Sequence, residues 1–540
     1  MTQRGPRAVG INLGHDGGAA LVTPDRMIAI GEERLNRSRY SPGWEAALLY
    51  CLRAAGLRID EVDLFVASGI GMTPPEPEEL GLHHLGVDLD RVRTLDHHLS
   101  HAYTAYCLSG FETAAVLVVD GAGNHRDTES YYAAGPDGIE RAGRNAPDRV
   151  RAGGIGATYE AFTNYLGWHD QEAGKTMALA ALGDPSAFPE PLFDLDGDRV
   201  AGRLRFIQAR GVADLLARTG WDFGPPYSLG GDRRGADAAA YLQAETERAL
   251  CGLAEAAVAA TGLGRLCMAG GVALNCVANQ RISGLEPVEE LFVAPPASDR
   301  GQALGCALHG LHLLEGRVPR RPIATDAFGR EYGDDEIERA LRRDPKSGLM
   351  ERRRTPFAWR RERDIAATGA QLIASGAVIG WFQGGSELGP RALGGRSILA
   401  DARSLASRDA LNDGIKHREP FRPFAPAVLA GQASRWFQLD GPSPFMLLAP
   451  KAVPERAAEI PAVLHSDGSA RVQTVDPAAS PLLASLLGHL ERSTGVPVVL
   501  NTSFNDREPI VETPAHALAT FQDTPLDALC IGDYLVTREA

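Results

Sequence analysis

Three short apolar runs constrain this chain most. AVGINLG (8–14), AAVLVVDG (114–121) and RLCMAGG (265–271) are apolar without alternation, and each ends in a glycine-containing turn. A strand that is apolar on both faces needs cover on both sides, which is the condition of a sheet sandwiched between helices. Ala/Leu-rich stretches such as 236–261 have the length and period of those helices. The pattern predicts an α/β fold.

The pattern breaks once. Residues 315–360 are rich in charge and lack continuous apolar runs, and a second α/β unit begins near DIAATGAQLIASGAVIGWFQGG. We therefore expect two domains, 1–345 and 346–540. No internal repeat with a fixed period is visible in the sequence.

Composition removes several classes of function. No apolar run is long enough to cross a bilayer, and the N-terminus lacks the pattern of a secretory signal, so a cytoplasmic protein with no membrane partner is expected. A net charge of −14 argues against nucleic acid as the main partner. The 7 cysteines form no CxxC pair, and Cys107, Cys267, Cys276 and Cys306 lie in apolar runs, as buried thiols in a reducing compartment do.

In the first half, DHHLSHA places His97 and His101 four residues apart at the start of a helical pattern. Such a pair shares one helix face and can aim at one metal ion, although it needs oxygen donors before that reading means anything. Asp120 ends the run AAVLVVD, just before Gly121, where a carboxylate faces the cleft used by ligands of α/β sheets; a turn residue is the plain alternative. Asp299 precedes a helix rich in small residues and could serve simply as its cap. The glycines of GHDGG (14–18) and Gly270 and Gly271 of AGGVALN leave backbone N–H groups open to an anion, with Asn275 following in the first helical turn. Lysine is scarce, which gives weight to Lys175 in EAGKTMALAALGD and Lys416 in GIKHREPFRPFAP.

The second half carries cations among glycines and prolines. GGSELGPRALGGRSILADAR contains Arg391 and Arg396, and the next cluster holds Lys416, Arg418 and Arg422. Guanidinium groups bind phosphates through paired hydrogen bonds. VVLNTSFN adds the uncharged polar groups of Asn501 and Ser503 at a strand end. Together these suit a small phosphorylated ligand plus ATP.

The motifs GINLGHDGGAAL, GEERLNR, DHHLSHA, VVDGAG, GKTMALAALGD, AGGVALN, GPRALGGRSILADAR, IKHREPFRPFAP, DGSARVQTV and NTSFN follow one another along nearly the whole chain. In content and order this series resembles the NodU/CmcH/TobZ family of O-carbamoyltransferases. The resemblance implies an N-terminal domain of the actin-like ATPase fold, similar to the catalytic subunit of tRNA threonylcarbamoyltransferase, fused to a C-terminal YrdC-like domain. It implies that His97, His101, Asp120 and Asp299 bind iron(II) or another divalent cation, leaving His98 in a solvent or second-layer position. It places nucleotide at Gly121, Lys175, Gly270, Gly271 and Asn275, and carbamoyl phosphate at Arg391, Lys416, Arg422, Asn501 and Ser503. Arg396 and Arg418 are further phosphate candidates.

The expected reaction has two steps. Carbamoyl phosphate and ATP, supplied with Mg2+, give carbamoyl adenylate; a hydroxyl of a small-molecule acceptor, first of all a glycosylated antibiotic, then receives the carbamoyl group. Imidazole can take a proton near neutrality, so His15 is the expected base, assisted by Asp16. The family often shows a Lys-Lys-His-Asp-like run where this chain has Ser38, Arg39, Tyr40 and Ser41, a segment expected to help place the acceptor. A tRNA-directed threonylcarbamoyl enzyme fits the acidic charge and the fused second domain less well. A hydrogenase-maturation carbamoyltransferase would carry zinc-ribbon cysteines, and a non-catalytic nucleotide-binding regulator would not need the whole donor set. The oligomeric state is left open.

Overall fold

A computed structural model describes residues 5–146, 153–197, 199–218, 233–342 and 356–539. The chain divides into two compact units, Met1–Glu32 with Tyr40–Ile323, and Glu33–Arg39 with Ala324–Ala540. The expected domain boundary at 345/346 lies outside the described residues. The described residues that precede it already belong to the second unit: Ile337 and Leu341 are buried in its core, and Ala327 bridges to Glu387.

The first unit contains two five-stranded sheets. One is built from β1 (Ala8–Asn12), β2 (Gly18–Val22), β3 (Met27–Gly31), β4 (Leu64–Ser68) and β5 (Val92–Thr94), in the order β3-β2-β1-β4-β5. The other uses β6 (Ala114–Val119), β7 (Glu129–Gly135), β8 (Gly138–Asn145), β11 (Arg265–Ala269) and β12 (Glu290–Val293), in the order β12-β11-β6-β7-β8; a hairpin of β9 (Phe193–Asp196) and β10 (Arg199–Gly202) stands apart. Each sheet opens with an antiparallel meander and adds two parallel strands to its first member. The unit is thus a structural duplication. The sequence does not show it as a period, because insertions of very different length separate the matching strands.

The apolar runs at 8–12 and 114–119 are buried along their whole length. The helix Gln302–Glu315 lies against β1 so closely that a Cβ at Gly10 would sit 1.8 Å from the Ala303 carbonyl oxygen. Small residues on both surfaces permit that approach, and it places Asp299, just ahead of the helix, at the carboxyl end of the sheet.

The second unit is an eight-stranded mixed sheet of β13 (Phe357–Arg361), β14 (Ile379–Phe382), β15 (Arg396–Asp401), β16 (Ala425–Leu429), β17 (Gln473–Val475), β18 (Val498–Ser503), β19 (Ala528–Ile531) and β20 (Tyr534–Arg538). Its strand order is β13-β20-β19-β14-β15-β18-β16-β17. Helices Ile365–Ala374 and Pro481–Thr494 cover one face over Trp381, Leu399 and Val499, and a larger core around Phe382, Ile398 and Phe504 fills the other. Among the described residues no helix is long and apolar enough to cross a membrane.

Candidate functional site

In the first unit, the helix His97–Ser109 begins at Asp96, whose carboxylate caps the Leu99 N–H at 3.0 Å. This start turns His97 and His101 to one side, and their rings meet edge to face with centroids 4.9 Å apart. Asp120 reaches them from the end of β6: its Oδ2 lies 3.2 Å from His97 Nε2 and 3.1 Å from His101 Nε2. Asp299 Oδ1 is 3.4 Å from both nitrogens. All four donor atoms lie within 4.8 Å of one another, and both imidazoles are fully buried.

Buried hydrogen bonds set this geometry. Gln302 donates to the His97 carbonyl at 3.0 Å, Ser100 to the Gln302 carbonyl at 2.9 Å, and Thr104 to the Gly301 carbonyl at 2.9 Å, so the two helices are registered against each other. Asn12 donates to the carbonyls of Asp16 and Asp299 at 3.0 and 3.1 Å, tying the turn after β1 to the same place. Asn124 accepts the His97 N–H at 2.7 Å and donates to the carbonyls of Gly69, Gly71 and Thr73.

The donor set fits a divalent cation. Two imidazoles and two carboxylates are the mixed nitrogen and oxygen ligands that such ions take, and Asp299 Oδ2 accepts no hydrogen bond among the described residues although it is buried. The electrostatics agree. Burial works against a charged His97, yet Asp299 and Asp120 outweigh it and push the imidazole up to about 10. The same contacts overcome burial to hold Asp120 and Asp299 well below the usual carboxylate range. A buried carboxylate, Asp299, beside the half-buried Asp120 calls for positive charge, which a metal ion supplies while leaving the imidazoles neutral.

The remaining expected residues of this unit separate into two groups. His15 is half-exposed, with Nδ1 3.7 Å from Asp299 Oδ2, so it stands at the edge of the cluster. Gly121 and Gly271 both direct their N–H groups to Asp120 Oδ1, at 2.8 and 3.2 Å. Gly270 has φ 91°, and a Cβ there would lie 2.1 Å from the Val119 carbonyl oxygen, so only glycine lets β11 turn beside β6.

By contrast, Asp16 is paired with Arg300 at 3.2 Å, Lys175 with Glu172 at 2.7 Å, and Asn275 exchanges amide hydrogen bonds with Gln243 at 3.0 and 3.1 Å. His98 is not at the solvent: it is fully buried over Gly123, with Nδ1 2.8 Å from Ser130 Oγ. Sequence reasoning missed Glu160. Its carboxylate borders Gly121, and burial, reinforced by Asp120 and Asp170, lifts it to about 7.

In the second unit, the helix Leu405–Leu411 ends in a widened π-helical turn, Asn412–Lys416, and His417 follows in the left-handed region with φ 48°. Wide turns of this kind mark functional positions because they rotate the next side chains out of helical register. Arg418 is half-buried, with Cζ 5.3 Å from the centroid of the Phe424 ring; desolvation and the nearby Arg422, Arg471 and Arg391, opposed by Glu419, push its guanidinium well below the ordinary value. Arg422 pairs with Glu419 at 3.4 Å, and a group with this excess of guanidinium suits a multiply charged anion. Arg471 lies in the DGSARVQTV motif, but no property of an isolated arginine in a loop marks it out before folding.

Other expected phosphate ligands are engaged with the protein. Lys416 Nζ donates to the carbonyls of Ser503 and Asn505 at 2.6 Å each and to Asn505 Oδ1 at 2.8 Å, while burial and Arg418 push its amine well below the ordinary value. Asn501 donates to Ala392 O and Gln473 Oε1, and the Ser503 hydroxyl donates to Asn505 Oδ1. Arg396 does not join the cluster. It is fully buried, stacks 3.6 Å over the Phe382 ring, and donates to the carbonyls of Gln383, Gly384, Gly395 and Glu512.

Residues 80–308 match the family described as Carbamoyltransferase N-terminus, and residues 370–538 match Carbamoyltransferase C-terminus. The chain is similar to nodulation protein NolNO of Sinorhizobium fredii, at 34% identity over 97% of this chain and 79% of the relative. Nodulation protein NolO of Bradyrhizobium diazoefficiens is 36% identical over 82% of this chain and 79% of its own length. Nodulation protein U of Rhizobium tropici is 30% identical over 92% of this chain and 91% of its own.

Proposed function

This chain belongs to the carbamoyltransferase family, and we propose that it is an ATP-dependent O-carbamoyltransferase working in two steps. In the first, one water cleaves carbamoyl phosphate to inorganic phosphate and carbamate, and the carbamate oxygen bonds to the α-phosphorus of ATP as pyrophosphate leaves, giving carbamoyl adenylate. In the second, the oxygen of an acceptor hydroxyl bonds to the carbamoyl carbon and AMP leaves. The observation that carries this reading is the match of both halves of the chain to the carbamoyltransferase family, with Arg391, Arg422 and Arg471 near enough to Arg418 to act on its charge. In a carbamoyltransferase, such a site suits the dianion of carbamoyl phosphate.

The duplicated sheet of the first unit supports an actin-like transfer domain, and the second unit takes the adenylate-forming role expected of a YrdC-like domain. Arginines hold the phosphate as forked donors, and Lys416 fixes the 503–505 loop. In the first unit, His97, His101, Asp120 and Asp299 would hold a divalent cation, iron(II) or another, that supplies positive charge for the adenylate phosphate. The N–H groups of Gly121 and Gly271 orient Asp120. His15 takes the acceptor proton at its imidazole and gives it to solvent, while Asp16, paired with Arg300, holds the shape of the turn.

The acceptor class is a hydroxylated secondary metabolite, a glycosylated antibiotic being the first choice. The test is pyrophosphate and AMP release in anaerobic buffer containing iron(II) and Mg2+, with a panel of hydroxylated antibiotics. The reading expects pyrophosphate that requires carbamoyl phosphate and AMP that rises with one acceptor. Folded, metal-loaded protein that turns over no nucleotide would refute it.

A further inference from the structure

The GEERLNR motif has no part in the reaction as described above, and its contacts are informative. Residues Glu33–Arg39 group with the second unit, whereas Glu32 and Tyr40 on either side group with the first. Within the second unit this short segment reaches two loops. Arg34, 2% exposed, donates from Nη2 to the Gly389 carbonyl at 3.0 Å, two residues before Arg391. The Gly389 N–H donates to Asp326 Oδ2 at 2.7 Å, so both backbone groups of that residue are held.

Arg37 grips the other loop. Its Nη1 donates to Ile510 O at 2.7 Å and its Nη2 to Pro509 O at 2.5 Å, with Glu508 3.7 Å away. The Asn505 side chain in turn donates to Glu508 O at 2.6 Å and accepts from Lys416. Arg37 adopts φ 64°, a strained conformation for a residue with a Cβ, which persists only where the contacts around it enforce it. Burial lowers its guanidinium to about 10, so the charge is carried into the protein for the sake of these carbonyls. Two adjacent carbonyls suit the fixed fork of arginine and not the single ammonium of lysine.

We propose that Arg34 and Arg37 are positioning residues of the four-arginine site: one segment fixes the loop that carries Arg391 and the loop that Lys416 binds, and so sets the spacing of the groups that receive the anion. The inference rests on reading that site as the carbamoyl phosphate subsite. The neighbouring Arg39 donates to the Glu508 carbonyl at 3.4 Å, on the same loop.

The test uses full-length protein and two readouts, calorimetric binding of carbamoyl phosphate and the KM and kcat of pyrophosphate release. Arg37→Ala is expected to raise Kd and KM for carbamoyl phosphate about tenfold, with KM for ATP and kcat at saturation within about threefold of the parent. Arg37→Lys should recover the charge but only part of the affinity; it also serves if Arg37→Ala does not fold. Carbamoyl phosphate affinity within twofold of the parent in both variants would overturn the proposal, as would a parent protein that does not bind carbamoyl phosphate. A parent that binds it, shows the Arg37 effect on Kd and yet releases no pyrophosphate would support the positioning role while refuting the two-step reaction.

Discussion

The two sites are opposite in charge and in construction. The first unit gathers two carboxylates and two imidazoles at the ends of regular elements, with Asp120 closing β6 and the histidines on adjacent turns of one helix. The second gathers four guanidiniums from loops far apart in sequence, at 391, 418, 422 and 471. The first set of donors suits a cation, and the second, where Arg422 pairs with Glu419 at 3.4 Å, carries an excess of guanidinium that suits an anion. A site on rigid elements holds a permanent ion at fixed distances, whereas a site on stapled loops can receive and release a substrate. In the proposed reaction, that difference suits metal-assisted transfer at the first site and substrate capture at the second.

The largest effect is expected from breaking the first site. His101→Ala should abolish stoichiometric metal content, measured by elemental analysis, and lower acceptor carbamoylation by about 10²–10³-fold, the scale for removing a group that stabilises developing charge. In the second site, Arg418→Ala should raise the Kd for carbamoyl phosphate by about 10–100-fold in calorimetry, as losing a charge-assisted donor does, with metal content unchanged.

Arg396→Met sharpens the contrast within one motif. Since Arg396 spends its guanidinium on four carbonyls, the variant should lower the melting temperature while carbamoyl phosphate affinity in the folded protein stays within about twofold. The smallest effect concerns Glu160 in metal-free protein. Its carboxyl is raised to about 7 when folded, so the unfolded chain ionises first and folding stability falls as pH rises from about 4.5 to 7. Glu160→Gln should therefore melt higher than the parent at pH 8, with the gap narrowing towards pH 5 in differential scanning calorimetry.

In the first site the pairing of His97 with His101 and the position of Asp120 were legible from local periodicity, whereas Asp299 joined them only through the family resemblance. A four-residue spacing on a helix and a carboxylate ending an apolar strand are statements about neighbours, and folding preserved them. The loop site was legible only in part. Arg391, Arg418 and Arg422 stood out among glycines and prolines, but whether an arginine faces an anion or ties down carbonyls depends on which loop lies opposite, so Arg396 and Arg471 were indistinguishable before folding. Asn275 and Lys175 show the same limit: their partners, Gln243 and Glu172, are set by packing that motif content does not encode. The duplicated sheets escaped notice because topology repeats here without sequence period.

The division of labour between the sites is tested most directly by pyrophosphate release in the His101→Ala protein, with ATP and carbamoyl phosphate and without acceptor. Carbamoyl phosphate-dependent pyrophosphate should persist within about threefold of the parent while transfer to an acceptor is lost. Loss of pyrophosphate release in the folded variant would contradict the assignment, because it would make the metal cluster a requirement for forming the adenylate rather than for using it.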